Sequence, residues 1–266
     1  MKIYVFWFCV VLALFFSGNG SFAREGLNFK DTDLSPPEIT VMADPSMTIP
    51  LSKIARIYAQ EKNIAVATSF GAGSVQIKDL EDGQEGNVFI TARPALIRLL
   101  QSKGLMDVYS LTNIATNRLV LLGPKNNITN PRAKKRLMKL LPTQEKDFQL
   151  ALGDPEFLSE GTYALQLIRK LRLSRELEPS YSFFRDNFAL RKAITQYGAY
   201  GFMFETDVLL YPDLNKLMTI SSDDSSAIIY QAAVVAGDNM NVARDFLKFL
   251  TSKTAADIFK ENGFNQ

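Results

Sequence analysis

Apolar and polar positions along this chain switch repeatedly between a short strand-like run and a helical spacing. Ile39-Thr40-Val41-Met42-Ala43 reads as a strand, and a turn follows at Asp44-Pro45-Ser46. Leu51, Ile54, Ala55 and Tyr58 then recur at helical spacing, with Pro50 suited to the first turn. Ala65 to Phe70 is a second strand, leading through Gly71-Ala72-Gly73-Ser74 into a short helix near Val75 to Leu80. Val88-Phe89-Ile90 is a third strand, and a helix from Pro94 to Lys103 stops at Gly104. Strands alternating with helices predict βαβ units and a mostly parallel sheet.

The same grammar restarts downstream. Arg118 to Leu122 and Phe148 to Leu152 read as strands, and a basic helix is expected over about Arg132 to Leu141. Helices are expected at Gly161 to Arg172 and Phe188 to Tyr197, then a long strand at Ala227 to Ala236. Helical patterns at Val242 to Leu250 and Thr254 to Asn262 close the chain, with Gly263 as a stop. The pattern predicts a two-lobed α/β fold, each lobe a mostly parallel sheet flanked by helices, with a ligand cleft between them. Long strands near 116–124 and 227–237 are expected to join the lobes. The predicted organisation is lobe 1 over 38–116, lobe 2 over 117–226, and a crossover strand returning to lobe 1 over 227–266.

The N-terminus carries a different signal. Lys2 precedes a nearly uncharged apolar run from Ile3 to Phe16, and small and polar residues end at Ser21-Phe22-Ala23. That layout predicts a secretory signal peptide over 1–23, since the run is shorter than the roughly 20 residues of a spanning helix. A retained anchor is the alternative. Residues 24–37 are polar with two prolines and read as a loose leader.

Composition removes several chemistries. The chain has no histidine, and its single cysteine, Cys9, and single tryptophan, Trp7, both lie in the signal segment. A mature chain therefore has no zinc site of the nitrogen and sulfur kind, no serine-histidine or cysteine-histidine nucleophile pair, and no disulfide. Its stability has to come from a buried core, for which 47% hydrophobic residues are ample. The 30 basic residues nearly balance the 28 acidic ones, which gives no reason to expect a nucleic-acid partner.

In α/β sheets ligands gather where strands end and helix N-termini point into a crevice. Four turns qualify: Asp44-Pro45-Ser46, Gly71 to Ser74, Gly153 to Gly161, and Arg185-Asp186-Asn187-Phe188. Converging helix N-termini present free N–H groups and partial positive charge, and hold a small anion without Lys or Arg. Ser46 and Ser74 fit helix caps equally well, and Gly71 and Gly73 fit plain turns. Asp154 reads as a turn residue. Asp223-Asp224 reads as a loop, and the cluster Arg132, Lys134, Lys135, Arg136 and Lys139 as a solvated face or a docking surface.

At these residues the chain resembles the periplasmic molybdate-binding proteins of ABC transporters. Asp44-Pro45-Ser46-Met47-Thr48 stands where that family has Ala-Ala-Ser-Leu-Thr. The likeness continues through Ser69 to Ser74, Asn87 to Ala92, Asn117 to Lys125, Leu150 to Glu156, Gly161 to Ala164 and Ile258 to Phe264. The resemblance implies a pocket of neutral donors for a tetrahedral oxyanion, formed by Ser46, Gly73, Ser74, Glu160, Gly161, Phe188 and Phe204. Gly73 stands in place of a serine, Glu160 and Phe188 in place of small residues that give a backbone N–H, and Phe204 in place of a tyrosine.

The resemblance implies a solute-binding protein that delivers a small oxyanion, molybdate or tungstate in kind, to an ABC permease of the inner membrane. No cofactor is expected, and molybdenum or tungsten enters only as the bound oxyanion. A periplasmic location, a monomer and the absence of catalysis complete the expectation. Two other readings stand beside it: the same fold taking a different small organic solute, and a sensor or interaction module without transport. An envelope enzyme would have to rely on a carboxylate pair such as Glu160 and Glu205.

Overall fold

The computed structural model describes residues 38–124, 141, 147–223 and 225–265. The expected signal peptide and leader, the basic helix short of Leu141, and Asp224 lie outside the described residues.

The first sheet begins with β1 (Ile39–Ala43), continues through α1 (Thr48–Lys62), β2 (Val66–Phe70), α2 (Gly73–Glu81), β3 (Val88–Thr91) and α3 (Pro94–Ser102), and adds β4 (Thr112–Asn117). The second holds β5 (Leu119–Leu122), β6 (Leu150–Gly153), α4 (Ser159–Lys170), α5 (Ser174–Leu177), β7 (Tyr181–Phe184), α6 (Asn187–Gln196), β8 (Tyr200–Phe204), α7 (Glu205–Leu210) and β9 (Lys216–Thr219). The chain then returns to the first sheet with β10 (Ile228–Val234), α8 (Met240–Phe249) and α9 (Lys253–Glu261).

The two lobes share one plan. Strand order is β2-β1-β3-β10-β4 in one sheet and β7-β6-β8-β5-β9 in the other. In each, the first three strands run parallel, and a single reversed strand pairs antiparallel on both sides. The reversed strand is β10 in the first sheet and β5 in the second, in each case a strand the chain enters on coming from the opposite sheet.

Two expectations about the joints need correction. The segment near 116–124 is not one long strand: β4 and β5 are separate strands of different sheets, broken at Arg118, whose N–H donates to the Asn117 side-chain oxygen at 2.8 Å. The strand expected near 227–237 does not span both lobes either. All its pairings are with β3 and β4 of the first sheet, so the return crossing is the stretch between β9 and β10.

The central strands are mostly apolar because both faces are covered. Along β1, Ile39, Val41 and Ala43 face α1, where Leu51, Ile54 and Tyr58 are buried at the expected helical positions. Met42 faces the other way, with Phe89, Ile97 and Leu100. Phe246 and Phe259 of α8 and α9 join the α1 side, and the Tyr58 and Phe246 rings meet edge to face at 5.0 Å. A second cluster around Leu122, Leu158, Leu190 and Met203 fills the α6 side of the second sheet. These two filled layers fix where the strand ends meet.

Candidate functional site

The carboxyl ends of β1 and β3 face the N-terminus of α4 from the other lobe, and one side chain joins them. Asp44 follows directly on β1 and is 3% exposed. Its Oδ2 accepts from the Ala92 N–H at 2.7 Å, from the Ser159 hydroxyl at 2.9 Å and from the Thr91 hydroxyl at 3.2 Å. Among the described residues Oδ1 accepts only from that same Thr91 hydroxyl, at 3.3 Å. Burial pushes the Asp44 carboxyl up, while the Ala92 N–H, Ser159, the Arg93 guanidinium and Thr91 pull the other way.

Further bonds cross between the lobes around this carboxylate. Arg93 donates through Nη1 to the Pro155 carbonyl at 2.7 Å and through Nη2 to the Glu156 carbonyl at 3.3 Å. Ser74 donates to the Glu156 carbonyl at 2.7 Å, and the Tyr163 hydroxyl donates to the Ala92 carbonyl at 2.6 Å. The turn that offers those carbonyls is set by Asp154, whose Oδ1 accepts the Glu156 N–H at 3.0 Å. Asp154 is thus the turn residue that the sequence suggests.

A pair of acids accompanies Asp44. Glu160, on the first turn of α4, is 3% exposed, and Asp207, on α7, is equally buried. Burial raises the Glu160 carboxyl, the Asp207 charge and then that of Asp44 raise it further, and it reaches about 8. Asp207 rises by burial to about 7 against the Phe204 N–H that it accepts at 3.0 Å. The side chain of Asn187, at the start of α6, hydrogen-bonds Glu160 and lowers it. Glu160 Oε1 and Arg93 Nε have no hydrogen-bond partner among the described residues.

The residues expected at the site are distributed unevenly. Ser46 and Ser74 do not cap helices: the N-cap residues of α1 and α2 are Met47 and Ala72, and neither makes a side-chain cap bond. Ser46 instead shares a 2.7 Å hydrogen bond with the Tyr230 hydroxyl. Gly73 is buried beside the cluster. A Cβ there would lie 2.5 Å from Leu96 Cδ1, 3.4 Å from Arg93 Nη2 and 3.7 Å from Asp44 Oδ1. At Gly161 a Cβ would run into the Gly153 carbonyl, so α4 and β6 approach as closely as they do only because the residue is glycine.

The two phenylalanines differ in exposure, and Phe204 gives its backbone N–H to the Asp207 carboxylate. Phe204 is 1% exposed, and its ring packs edge to face between Tyr163 and Tyr230, each at 6.3 Å. Phe188 is 70% exposed on the first turn of α6. Glu205 stands apart from Glu160: Arg118 at 2.5 Å and Lys216 at 2.8 Å hold it. Its partial burial raises it, but these cations outweigh that and leave it lowered. The acid facing Glu160 is Asp207.

Thr91, Arg93, Tyr163 and Asp207 are residues to which sequence reasoning gave no part in the site, while Asp44 and Ser159 lie in turns it singled out without assigning them a contact. Thr91 and Ala92 carry the one readable signal, because they end β3 beside the turn after β1. Among the described residues no group of acids is placed to hold a metal ion.

Comparison with known proteins follows the same lines. The model of the bacterial extracellular solute-binding protein family matches residues 39–265. The molybdate-binding protein ModA of Escherichia coli is 28% identical over 257 residues, covering 95% of this chain and 97% of that protein. Its Haemophilus influenzae counterpart is 28% identical over 233 residues, covering 86% and 90%. Among solved structures, the Azotobacter vinelandii periplasmic molybdate-binding protein superposes with a TM-score of 0.71 at 17% identity, covering 86% of this chain and 99% of that one. The sulfate-binding protein SubI of Mycobacterium tuberculosis gives 0.70 at 15% identity, covering 85% of each.

Proposed function

The chain belongs to the bacterial extracellular solute-binding protein family, and from that premise we propose that its cleft captures a small tetrahedral oxyanion and presents it to an ABC permease of the inner membrane. The observation that carries this reading is the convergence of the Ala92 N–H and the Thr91 and Ser159 hydroxyls on one oxyanion, the Asp44 carboxylate, between the lobes. Neutral donors of this kind recognise charge spread over oxygen atoms, and a desolvated site makes each such bond strong. Molybdate is the ligand named for the relatives that cover most of this chain, and it supports the same ligand class.

Capture works by closure. A solute favours the shut state only if it touches both lobes. Donors from both lobes already meet at Asp44, and the Arg93, Ser74 and Tyr163 bonds form across the same gap. We assign ligand contact to the N-termini of α2 at Gly73 and Ser74 and of α4 at Glu160 and Gly161, with Ser46 beside them. Residues 1–23 serve as the export signal and 24–37 as a leader. Lobe 1 is formed by 38–116 and 227–266, lobe 2 by 117–226. The protein acts as a periplasmic monomer that binds and releases its solute unchanged.

The test is to express the full chain with its own leader, recover it from the periplasm, and titrate it calorimetrically with molybdate, tungstate, sulfate and inorganic phosphate. Saturable one-to-one binding of at least one of them is expected. Protein retained in the membrane, or no heat with any of the four, contradicts the reading.

A further inference from the structure

In this cleft one anion is part of the chain. Asp44 stands where the resembling family has an alanine, and it takes up the Ala92 N–H and two hydroxyls on a single oxygen, Oδ2. Among the described residues Oδ1 keeps unused lone pairs, since its one hydrogen bond there is a 3.3 Å share of the Thr91 proton. That oxygen lies 3.7 Å from the place of a Cβ on Gly73, the first residue of α2, and Arg93 Nη2 is 3.4 Å from the same place. Leu96 Cδ1, 2.5 Å from that place, is the flexible end of a side chain, and a solute oxygen that displaces it at the start of α2 would meet the Oδ1 acceptor beside the Arg93 guanidinium. Glu160 Oε1, almost fully buried, is another acceptor without a partner among the described residues.

Acceptors and donors in one pocket discriminate by the proton content of the ligand. Molybdate, tungstate and sulfate carry no proton at neutral pH. Each of their oxygens would meet a carboxylate lone pair with nothing between, in surroundings that screen charge poorly. Phosphate, arsenate and phosphonates keep a proton at neutral pH and can donate it. Arg93 already has Asp44 as its nearest countercharge, so an unprotonated dianion brings two charges that only dipoles answer.

Resting on the oxyanion reading of the cleft, we propose that Asp44 is its specificity-determining residue, accepting the hydrogen of a protonated oxyanion such as hydrogen phosphate and turning away fully ionised molybdate, tungstate and sulfate.

The experiment is calorimetric titration of the full chain, recovered from the periplasm, and of its Asp44→Ala and Asp44→Asn variants, each with inorganic phosphate, molybdate and sulfate. The wild type is expected to hold phosphate at least about ten-fold tighter than molybdate or sulfate, the scale of one hydrogen bond to a charged group. Asp44→Ala should lose phosphate affinity by about ten-fold and gain molybdate or sulfate affinity by a similar factor. Asp44→Asn keeps the shape and supplies a donor, so it should gain the ionised anions even if the alanine variant folds poorly. A wild type that prefers molybdate or sulfate, with an order unchanged in both variants, overturns the role of Asp44 and leaves the oxyanion reading standing. No heat with any oxyanion, in any of the three proteins, overturns both.

Discussion

The Ser159 hydroxyl donates to the Asp44 carboxylate at 2.9 Å, which ties the first turn of a helix in one lobe to the end of a strand in the other across 115 positions of sequence. With the bonds from Arg93, Ser74 and Tyr163, it forms a polar contact between strand ends and helix starts of the two lobes.

Ser159→Ala tests this tie. The variant leaves part of a buried carboxylate unsatisfied, so unfolding free energy should fall by about 1–3 kcal/mol. Affinity for the bound oxyanion should fall by about ten-fold, because closure loses a cross-lobe donor. Urea melts and titration calorimetry read both. Affinity that is unchanged despite lowered stability would place the solute elsewhere.

Glu160 governs how stability depends on pH. Its carboxyl rises from the ordinary 4.5 to about 8 on folding, and that of Asp207 rises to about 7. A folded state that holds extra protons is favoured fully below the unfolded value, and it loses that advantage as pH climbs through the folded one. Stability should therefore decline between about pH 5 and 8.5, and Glu160→Gln should flatten the decline by about 1–3 kcal/mol at the alkaline end. Urea melts across that range supply the comparison. A variant curve parallel to the wild type would show that Glu160 does not titrate there.

Gly161→Ala places a methyl group against the Gly153 carbonyl, where the obstacle is backbone and cannot swing aside. Separating α4 from β6 should cost about 1–3 kcal/mol, the ordinary scale of overpacking, and displace the donors at Ser159. Gly73→Ala meets the flexible end of Leu96 instead and should cost less. Equal losses of melting temperature in the two variants would contradict this difference.

Tyr163→Phe removes the hydroxyl that reaches the Ala92 carbonyl at 2.6 Å but keeps the ring beside Phe204. Stability should fall by about 1 kcal/mol, with the solute released faster because a cross-lobe bond is gone. Stopped-flow dissociation against the wild type measures it, and an unchanged off-rate is the opposing result.

Much of the fold was legible because its central strands are buried on both faces. β1, β3 and β6 read as apolar runs, and α1 as Leu51, Ile54 and Tyr58, since tertiary packing agrees with the local pattern. Edge strands gave less: β7 has half-exposed side chains and β9 opens on exposed Lys216. β8, though fully buried, was missed between two helices. The break at Arg118 was hidden because no proline or glycine marks it ahead of the apolar β5.

For the site, turns at strand ends pointed to the right neighbourhood. Asp44 before Pro45 is a plain turn signal by local rules. What joins it to both lobes is contact with Thr91 and Ala92, 47 and 48 positions away, and with Ser159, farther still. No local period encodes such contacts.

The most direct test of oxyanion capture is the melting temperature of the protein with phosphate, arsenate, molybdate, tungstate and sulfate in turn, in wild type and Ser159→Ala. A ligand at a hundred times its dissociation constant stabilises the native state by about 2.7 kcal/mol. At least one oxyanion should raise the melting temperature of the wild type accordingly, and the same concentration should raise that of Ser159→Ala less. Melting temperatures that no oxyanion moves would contradict the account.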